Sequence, residues 1–519
     1  MAQQTGNLAE LSADTVRAWI ALAAEVLSHN AELLNGLNVF PVADSDTGSN
    51  LAASMRGAAT AVAETPAGAA PEELLAIAAR GALRNGRGNS GVILSEWLRG
   101  FAQAFQKSAN LGDALEQAAN SATEAVAKPA PGTILTAAQA AAAAALPAAS
   151  GSVTQGSGAA AVDVAVAGAR DAAQHSPSFL KALARAGVPD AGACGLVYVL
   201  DALRATLAGQ SDYTDVDLGF DPFDVPAVAG PDSDDDWQEG DDADEDGFEV
   251  MFTLRRPAGA TEFAPGQLAV QLRRELAEIG NSVVVVGGLA VGDAEKDSEW
   301  HSHVHVPDVT AALELIKRWQ KIGTVAAIQV RHLAVPAGDL NVWITTTDPA
   351  LIAEYARAGA VVLVPSGDGS VPDEVISAVK ASPTTANIVL AEPEDVAAVS
   401  EGLKYPTDLI LGPANPATEA LLLMVVGDQV TAGTEIEAAR TASEKLVSAE
   451  TGVEPHGMPP AILEAASSGL VVAAVPLQEP PMALEAAREQ CEAAGAELVV
   501  IQRSDTEPKI YWAAEHPDA

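Results

Sequence analysis

The sequence predicts a multidomain chain, an all-α N-terminal region followed by two α/β domains. Three observations carry that prediction. From residue 12 to residue 208 apolar side chains recur at helical spacing, and β-branched runs are scarce. Residues 232–246 read DSDDDWQEGDDADED, ten acidic residues in fifteen, a density of like charge that cannot pack and marks a disordered linker over 209–246. Beyond it, β-branched runs alternate with amphipathic ones, the pattern of strands covered by helices.

Composition sets the bounds. At 519 residues the chain is too long for one core, and length suggests about three domains. Apolar residues make up 48% and aromatic ones only 4%, so the cores must be built from Ala, Val and Leu. A net charge of −41 repels nucleic acid and anionic membranes and argues against both as partners. Cys194 and Cys491 are the only cysteines, too few for a disulfide framework or a thiolate metal site, which fits a reducing compartment. The start, MAQQTGNLAELSADT, lacks a basic stretch followed by an apolar one, so no signal peptide is read. No unbroken apolar run reaches the ~18 residues of a membrane span. The expectation is a cytoplasmic chain with no integral membrane segment.

The helical region is read from TVRAWIALAAEVLSHNAELLNGL, EELLAIAARGALRNG and GNSGVILSEWLRGFAQAF. Between helices lie glycine-bearing joints: DSDTGSN, NGRGNSG, APGTIL and PDAGACG. Joints of this kind in a helical bundle are where chemistry is carried. Past the linker, FEVMFTLRR, NSVVVVGGL and HSHVHV read as strands, and GQLAVQLRRELAEIG and VTAALELIKRWQKIG as helices, giving a small α/β domain over 247–333. From 334 to 519, VWITTT, AVVLVPS, NIVLAE and LILGP alternate with helical stretches, which predicts a parallel sheet; AELVVIQRSD and KIYWAAE add strands.

The first joint, NVFPVADSDTGSN, sets Asp44 and Asp46 one residue apart. Two carboxylates in a tight turn can face one hard cation, with Thr47, Ser49 and Asn50 adding oxygen ligands and Gly48 freeing the backbone to approach a phosphate. A calcium loop would need alternating ligands and a Glu near position twelve, and neither is present. A solvated acidic turn remains open on this stretch alone. NGRGNSG, ahead of a helix, can present backbone N–H groups to phosphate.

In order and spacing, NVFPVADSDTGSN, ARGALRNGRGNSGVILSEWLRGF, KPAPGTILT and LARAGVPDAGACGL resemble the DhaL-like nucleotide-binding domain. The whole chain resembles the catalytic subunits of bacterial fatty acid kinases, strongly over 12–208, less over 247–333 and faintly beyond. The family pattern NVFPVPDGDTGTN is departed from at Ala43, Ser45 and Ser49. The resemblance implies that residues 1–208 form an eight-helix barrel holding ATP and two magnesium ions at one end. Asp44 and Asp46 become metal ligands, and Asn38 stands near the place of a third. Thr47, Gly48 and Asn50 line the phosphates, with Asn89, Ser90 and Gly91 from the second joint. Thr133 contacts nucleotide from the third joint, and Asp190, Ala191 and Gly192 close over the adenosine end. Pro131 stands where the family commonly has Glu, so any polar role there is lost. Cys194 reads as a small packed residue.

His301, His303 and His305 alternate on one predicted strand and so share a face. From spacing alone, a solvated polar strand and a metal site both stand. The family resemblance, with its VHVHT-like strand and a GYCTE-like strand, implies a role for His303 and His305 in activity and in zinc binding. Glu249 occupies the place of the Cys, and His301 has no counterpart. The C-terminal domain resembles a diverged DegV-like domain. There VPSGDGSVPD replaces the family's GGQTMNPST-like segment, and no site is carried onto it.

The resemblance implies an ATP-dependent kinase subunit that phosphorylates the carboxylate of a fatty acid presented by a DegV-like carrier protein, in a homodimeric assembly. A carboxylate is already ionised at neutral pH, so no general base is needed. Two other readings stand beside it: a dihydroxyacetone-kinase-like enzyme acting on a hydroxylated substrate, and a nucleotide-binding regulator without turnover.

Overall fold

A computed structural model of the chain describes residues 11–41, 45–107, 111–149, 158–224, 247–257, 265–288, 298–335, 340–367, 370–380, 382, 386–403, 408–413, 415–427, 432–452, 457–466, 469–477, 482–504 and 509–515. The acidic stretch 232–246 and Asp44 lie outside these residues.

Among the described residues, ten α-helices fill the N-terminal region. They are α1 (Ala13–His29), α2 (Ala31–Gly36), α3 (Thr47–Ala63), α4 (Pro71–Asn85), α5 (Gly88–Gln106), α6 (Leu111–Ala125), α7 (Ile134–Ala149), α8 (Gly158–Gln174), α9 (Lys181–Ala186) and α10 (Ala191–Leu207). In α1 the Ser12 hydroxyl accepts the Thr15 N–H at 3.1 Å and caps the helix. Val16, Trp19, Ile20, Ala23 and Leu27 then fall on one buried stripe, as a 3.6-residue period requires. The scarcity of aromatic residues has a packing consequence. Helices meet through small residues: a Cβ on Gly57 of α3 would lie 2.5 Å from the Gly81 carbonyl of α4, and one on Gly100 of α5 would lie 2.7 Å from the Gln117 carbonyl of α6. Backbones this close leave no room for a larger side chain.

After α10 the chain folds back. Val216 and Leu218 join the helical core, and the Arg170 guanidinium bridges buried Asp201 at 3.1 Å and the Asp217 side chain at 3.2 Å.

The remaining elements are β1 (Phe248–Arg256), α11 (Pro265–Ala277), β2 (Asn281–Gly288), β3 (Ser298–Val306), α12 (Val309–Trp319), β4 (Thr324–His332), β5 (Leu340–Thr345), α13 (Pro349–Arg357), β6 (Ala360–Val364), α14 (Val371–Lys380), β7 (Ala386–Leu390), α15 (Val396–Leu403), β8 (Asp408–Leu411), α16 (Pro416–Gly427), α17 (Ala432–Lys445), β9 (Leu446–Gly452), α18 (Pro460–Ala465), β10 (Leu470–Pro476), α19 (Met482–Ala494), β11 (Glu497–Arg503) and β12 (Lys509–Glu515). Among the described residues, eight strands form one sheet in the order β2-β3-β1-β4-β6-β5-β7-β8, and four form another in the order β11-β10-β12-β9.

Contacts divide the chain into two compact units, Met1–Glu245 with Thr253–His305, and Asp246–Phe252 with Val306–Ala519. Within the first, β2 belongs with the helices. Val284 pairs with Val126 at the end of α6, the Ala127 N–H donates to the Val283 carbonyl at 3.1 Å, and Val284 and Val286 sit in the helical core. Leu268, Leu272 and Leu276 bury one stripe of α11, which packs on β2.

In the second unit, β6, β5, β7 and β8 are parallel neighbours, as the alternation of strand and helix predicts, while β4 joins β6 antiparallel. The last hundred residues build a separate, mixed sheet. There β10 and β11 are parallel across α19, and β12 skips β11 to run antiparallel beside β10. Among the described residues, no helix is long and apolar enough to cross a membrane.

Candidate active site and metal centre

Four helix starts meet at one end of the helical region. The first turns of α3 and α5 touch because Gly88, with φ +54°, and Gly91 have no side chains. A Cβ on Gly88 would strike the Asn50 amide, and one on Gly91 would lie 2.6 Å from Ser54 Oγ. The second turn of α10 meets α3 in the same way, since the space beside Gly195 is filled by Leu51 Cδ1. A Cβ on Gly192 would lie 3.3 Å from Ile134 Cβ, which brings in the start of α7. Each helix N-terminus carries unsatisfied N–H groups and a partial positive charge, so such a convergence suits a polyanion.

The side chains at this end fall into two groups. In the first, the Thr47 hydroxyl donates to Asn38 Oδ1 at 2.8 Å and lies 3.3 Å from Ser90 Oγ. Asn38, Thr47 and Asn50 are buried. Neither Asp46, the residue preceding α3, nor Arg87, preceding α5, caps its helix with its own side chain. Asn89 Oδ1 is buried with no hydrogen-bond partner among the described residues, an acceptor that a bound ligand could satisfy. Gly48 has a packing reason: a Cβ there would run into the Ala31 carbonyl and come within 2.8 Å of Leu34 Cβ on α2.

The second group joins the third and fourth joints. Buried Asp190 caps α10, its Oδ1 accepting the Ala193 N–H at 2.7 Å. Burial pushes its carboxyl up to about 7, against the opposing pull of the Ala193, Ile134 and Gly192 N–H groups. The Asp190 N–H donates to Ser176 Oγ at 2.8 Å. Thr133 turns its hydroxyl to the Ala130 carbonyl at 2.8 Å, and Gly132 adopts φ +77°, which favours glycine. Cys194 is buried, and its thiol is raised by burial and by Asp190, so it fills space as expected.

The histidine strand resolves differently. His301, His303 and His305 share one face of β3, but only two of them converge. Glu249, His303 and His305, all buried, bring ligand atoms within 4.8 Å of one another. Burial holds His303 down to about 3 and His305 well below its ordinary value, so both imidazoles are neutral, the form that binds metal. His305 Nδ1 has no hydrogen-bond partner among the described residues. His301 is engaged elsewhere, with Nε2 3.0 Å from Glu299 and Nδ1 3.3 Å from Thr253 Oγ1. Across the strand pair, Val284 faces His303 and Val286 faces His301, so the histidine-bearing face of β3 is the one β2 turns to the helical core.

Comparison with known proteins agrees with this division. The model of the DAK2 domain matches residues 41–205, and that of the FakA-like middle domain of fatty acid kinases matches residues 245–337. The chain carries both domains. All four helix starts lie within the first match, and Glu249, His303 and His305 lie within the second. Uncharacterized proteins of Staphylococcus aureus, strains USA300 and N315, are each 34% identical over 196 residues, 37% of this chain and 35% of theirs. The match thus spans about a third of these curated relatives. Among solved structures, the dihydroxyacetone kinase of C. freundii aligns at 23% identity over 37% of this chain and 34% of that one, with a TM-score of 0.29. Its complex with AMP-PNP and Mg2+ aligns at 23% identity over 40% and 36%, with a TM-score of 0.30.

One residue that shapes the DAK2 end carries no motif signal: Ser176, which anchors Asp190 from a 3-10 turn, Ser176–Ser178. Gly195, the last residue of the PDAGACG joint, admits Leu51. Thr253, a partner of His301 on β1, could be found only once β1 and β3 were seen as neighbours, whereas Glu299 lies two residues from His301 on the same strand and face.

Proposed function

We propose that this chain is the ATP-dependent phosphotransferase subunit of a fatty acid kinase. The observation that carries the reading is the convergence of the α3, α5, α7 and α10 starts, within a DAK2 domain that is joined to a fatty acid kinase-type middle domain. In this reading residues 1–208 are the DhaL-like barrel and the C-terminal region is a diverged DegV-like domain.

The N–H groups at the starts of α3 and α5 hold the phosphates, with Thr47, Asn50, Ser90 and Gly91 around them. Asn38 orients the Thr47 hydroxyl, and the buried acceptor of Asn89 receives a donor from the bound nucleotide. Asp190 ties the third joint to the fourth at the adenosine end, beside Thr133 and Gly192. Asp44 and Asp46 would hold magnesium, which when bound neutralises phosphate charge and aligns the transferred group. Glu249, His303 and His305 present an oxygen and two neutral nitrogens, a donor set that suits zinc with one position left open.

The acceptor is the carboxylate of a fatty acid. It is ionised at neutral pH, so the protein supplies position and charge compensation and no base. A DegV-like carrier presents it, and a homodimer in the cytoplasm is the working assembly. The test combines the full chain, magnesium, ATP and a carrier loaded with fatty acid, and traps acyl phosphate as a hydroxamate. Hydroxamate that requires all four components supports the reading. Its absence despite tight ATP binding would point instead to a regulator.

A further inference from the structure

We propose that Phe179 is the platform on which the base of the nucleotide stacks; this rests on the DAK2 end binding ATP. Phe179 is 43% exposed, while Ser176, Pro177 and Leu180 around it are buried. With Phe223, which lies in the segment after α10, it is one of two exposed phenylalanines among the described residues.

The base of the Phe179 side chain is held on two sides. A Cβ on Gly132 would lie 2.7 Å from Phe179 Cβ and 3.3 Å from its Cγ, so the third joint presses its backbone against the root of the ring. From the other side, the Phe179 N–H donates to the Ser176 carbonyl at 3.0 Å, and Ser176 Oγ receives the Asp190 N–H. The root of the ring is therefore fixed to the same two joints that the nucleotide reading places at the adenosine end, Gly132–Thr133 and Asp190–Gly192. Pinned at its root and open to solvent beyond, the ring is a preorganised flat surface. It can meet a purine without reordering, and stacking needs no particular pattern of base-edge hydrogen bonds.

The test uses the full chain and two ligands, magnesium ATP and magnesium tripolyphosphate, which has the charge but neither base nor ribose. Base stacking on an aromatic side chain predicts that Phe179→Ala weakens ATP about tenfold. Tripolyphosphate affinity should be unchanged, and Phe179→Tyr should restore ATP binding. If Phe179→Ala leaves ATP affinity at the wild-type value while tripolyphosphate still binds, stacking is overturned and the phosphate site stands. If Phe179→Ala weakens both ligands equally, the ring only supports the joints, and stacking is again overturned. If the wild-type chain binds neither ligand, the nucleotide reading fails, and this inference with it.

Discussion

Leu51 Cδ1 occupies the space in which Gly195 would carry a Cβ, and this contact sets the second turn of α10 against that of α3. The obstructing atom is the end of a side chain, so the fit can be tested from both sides. Gly195→Ala should destabilise the fold by about 1–3 kcal/mol, as overpacking does, and should weaken magnesium ATP. Leu51→Ala added to it should recover part of both losses, because the two residues share one volume. Calorimetry and thermal melts of the four proteins give the coupling; strictly additive losses would show that the two helix starts are not coupled through this contact.

Asp46→Asn keeps the shape of the side chain and removes its charge. The helical fold should remain intact, read as an unchanged circular dichroism spectrum. Hydroxamate formation should fall to background. A variant that turns over normally with unchanged magnesium dependence would remove Asp46 from the metal.

Glu249, His303 and His305 should behave as a set and His301 should not. Metal content after purification in zinc should drop in His303→Ala, His305→Ala and Glu249→Ala, and stay at the wild-type level in His301→Ala. Bound zinc should raise the melting temperature of the wild type, since a ligand of the native state stabilises it. Equal metal content in all four variants would leave the cluster as packed polar side chains.

Asp190 gives a pH dependence with a defined sign. An ordinary Asp titrates near 3.8, and folding raises this one to about 7. The folded chain therefore keeps a proton that the unfolded chain has lost between those values. The stability this contributes is complete below pH 3.8 and disappears as pH rises to about 7. Asn is also a good helix cap, so Asp190→Asn should keep α10 while removing the titration. The variant should gain melting temperature relative to wild type between pH 5 and pH 8. Parallel curves over that range would show that the Asp190 carboxyl is ionised throughout.

Val284 is buried in the helical core although it lies on β2, far along the chain. Val284→Asp places an unpaired charge there and should cost more than about 3 kcal/mol. Val270→Asp, at a position 60% exposed on α11, should be nearly neutral. Circular dichroism melts at a helical wavelength distinguish them; a mild Val284→Asp would mean that the helices do not depend on β2.

What the sequence determined by itself was whatever depends on neighbours along the chain. Helical spacing from 12 to 208, the strands at FEVMFTLRR, NSVVVVGGL and HSHVHV, and the parallel run of β5 to β8 follow from side-chain period, and the structure carries each of them. The glycine joints were legible for the same reason, because a helix start and a left-handed turn each need particular residues locally. Only the tertiary structure decided which of these pieces share a volume. His301 meets Glu299, two residues away on the same face of β3, a pairing the strand period itself allows; that His303 and His305 meet Glu249 instead depends on sheet order and register across strands. Val284 and Val286 lie in NSVVVVGGL, read as a strand of the small α/β domain, and pack in the helical core, because hydrophobic burial is non-directional and takes any complementary apolar surface. Phe179 gave no signal either: its exposure and its place against Gly132 arise from a turn 47 positions further along the chain, which period and propensity do not reach.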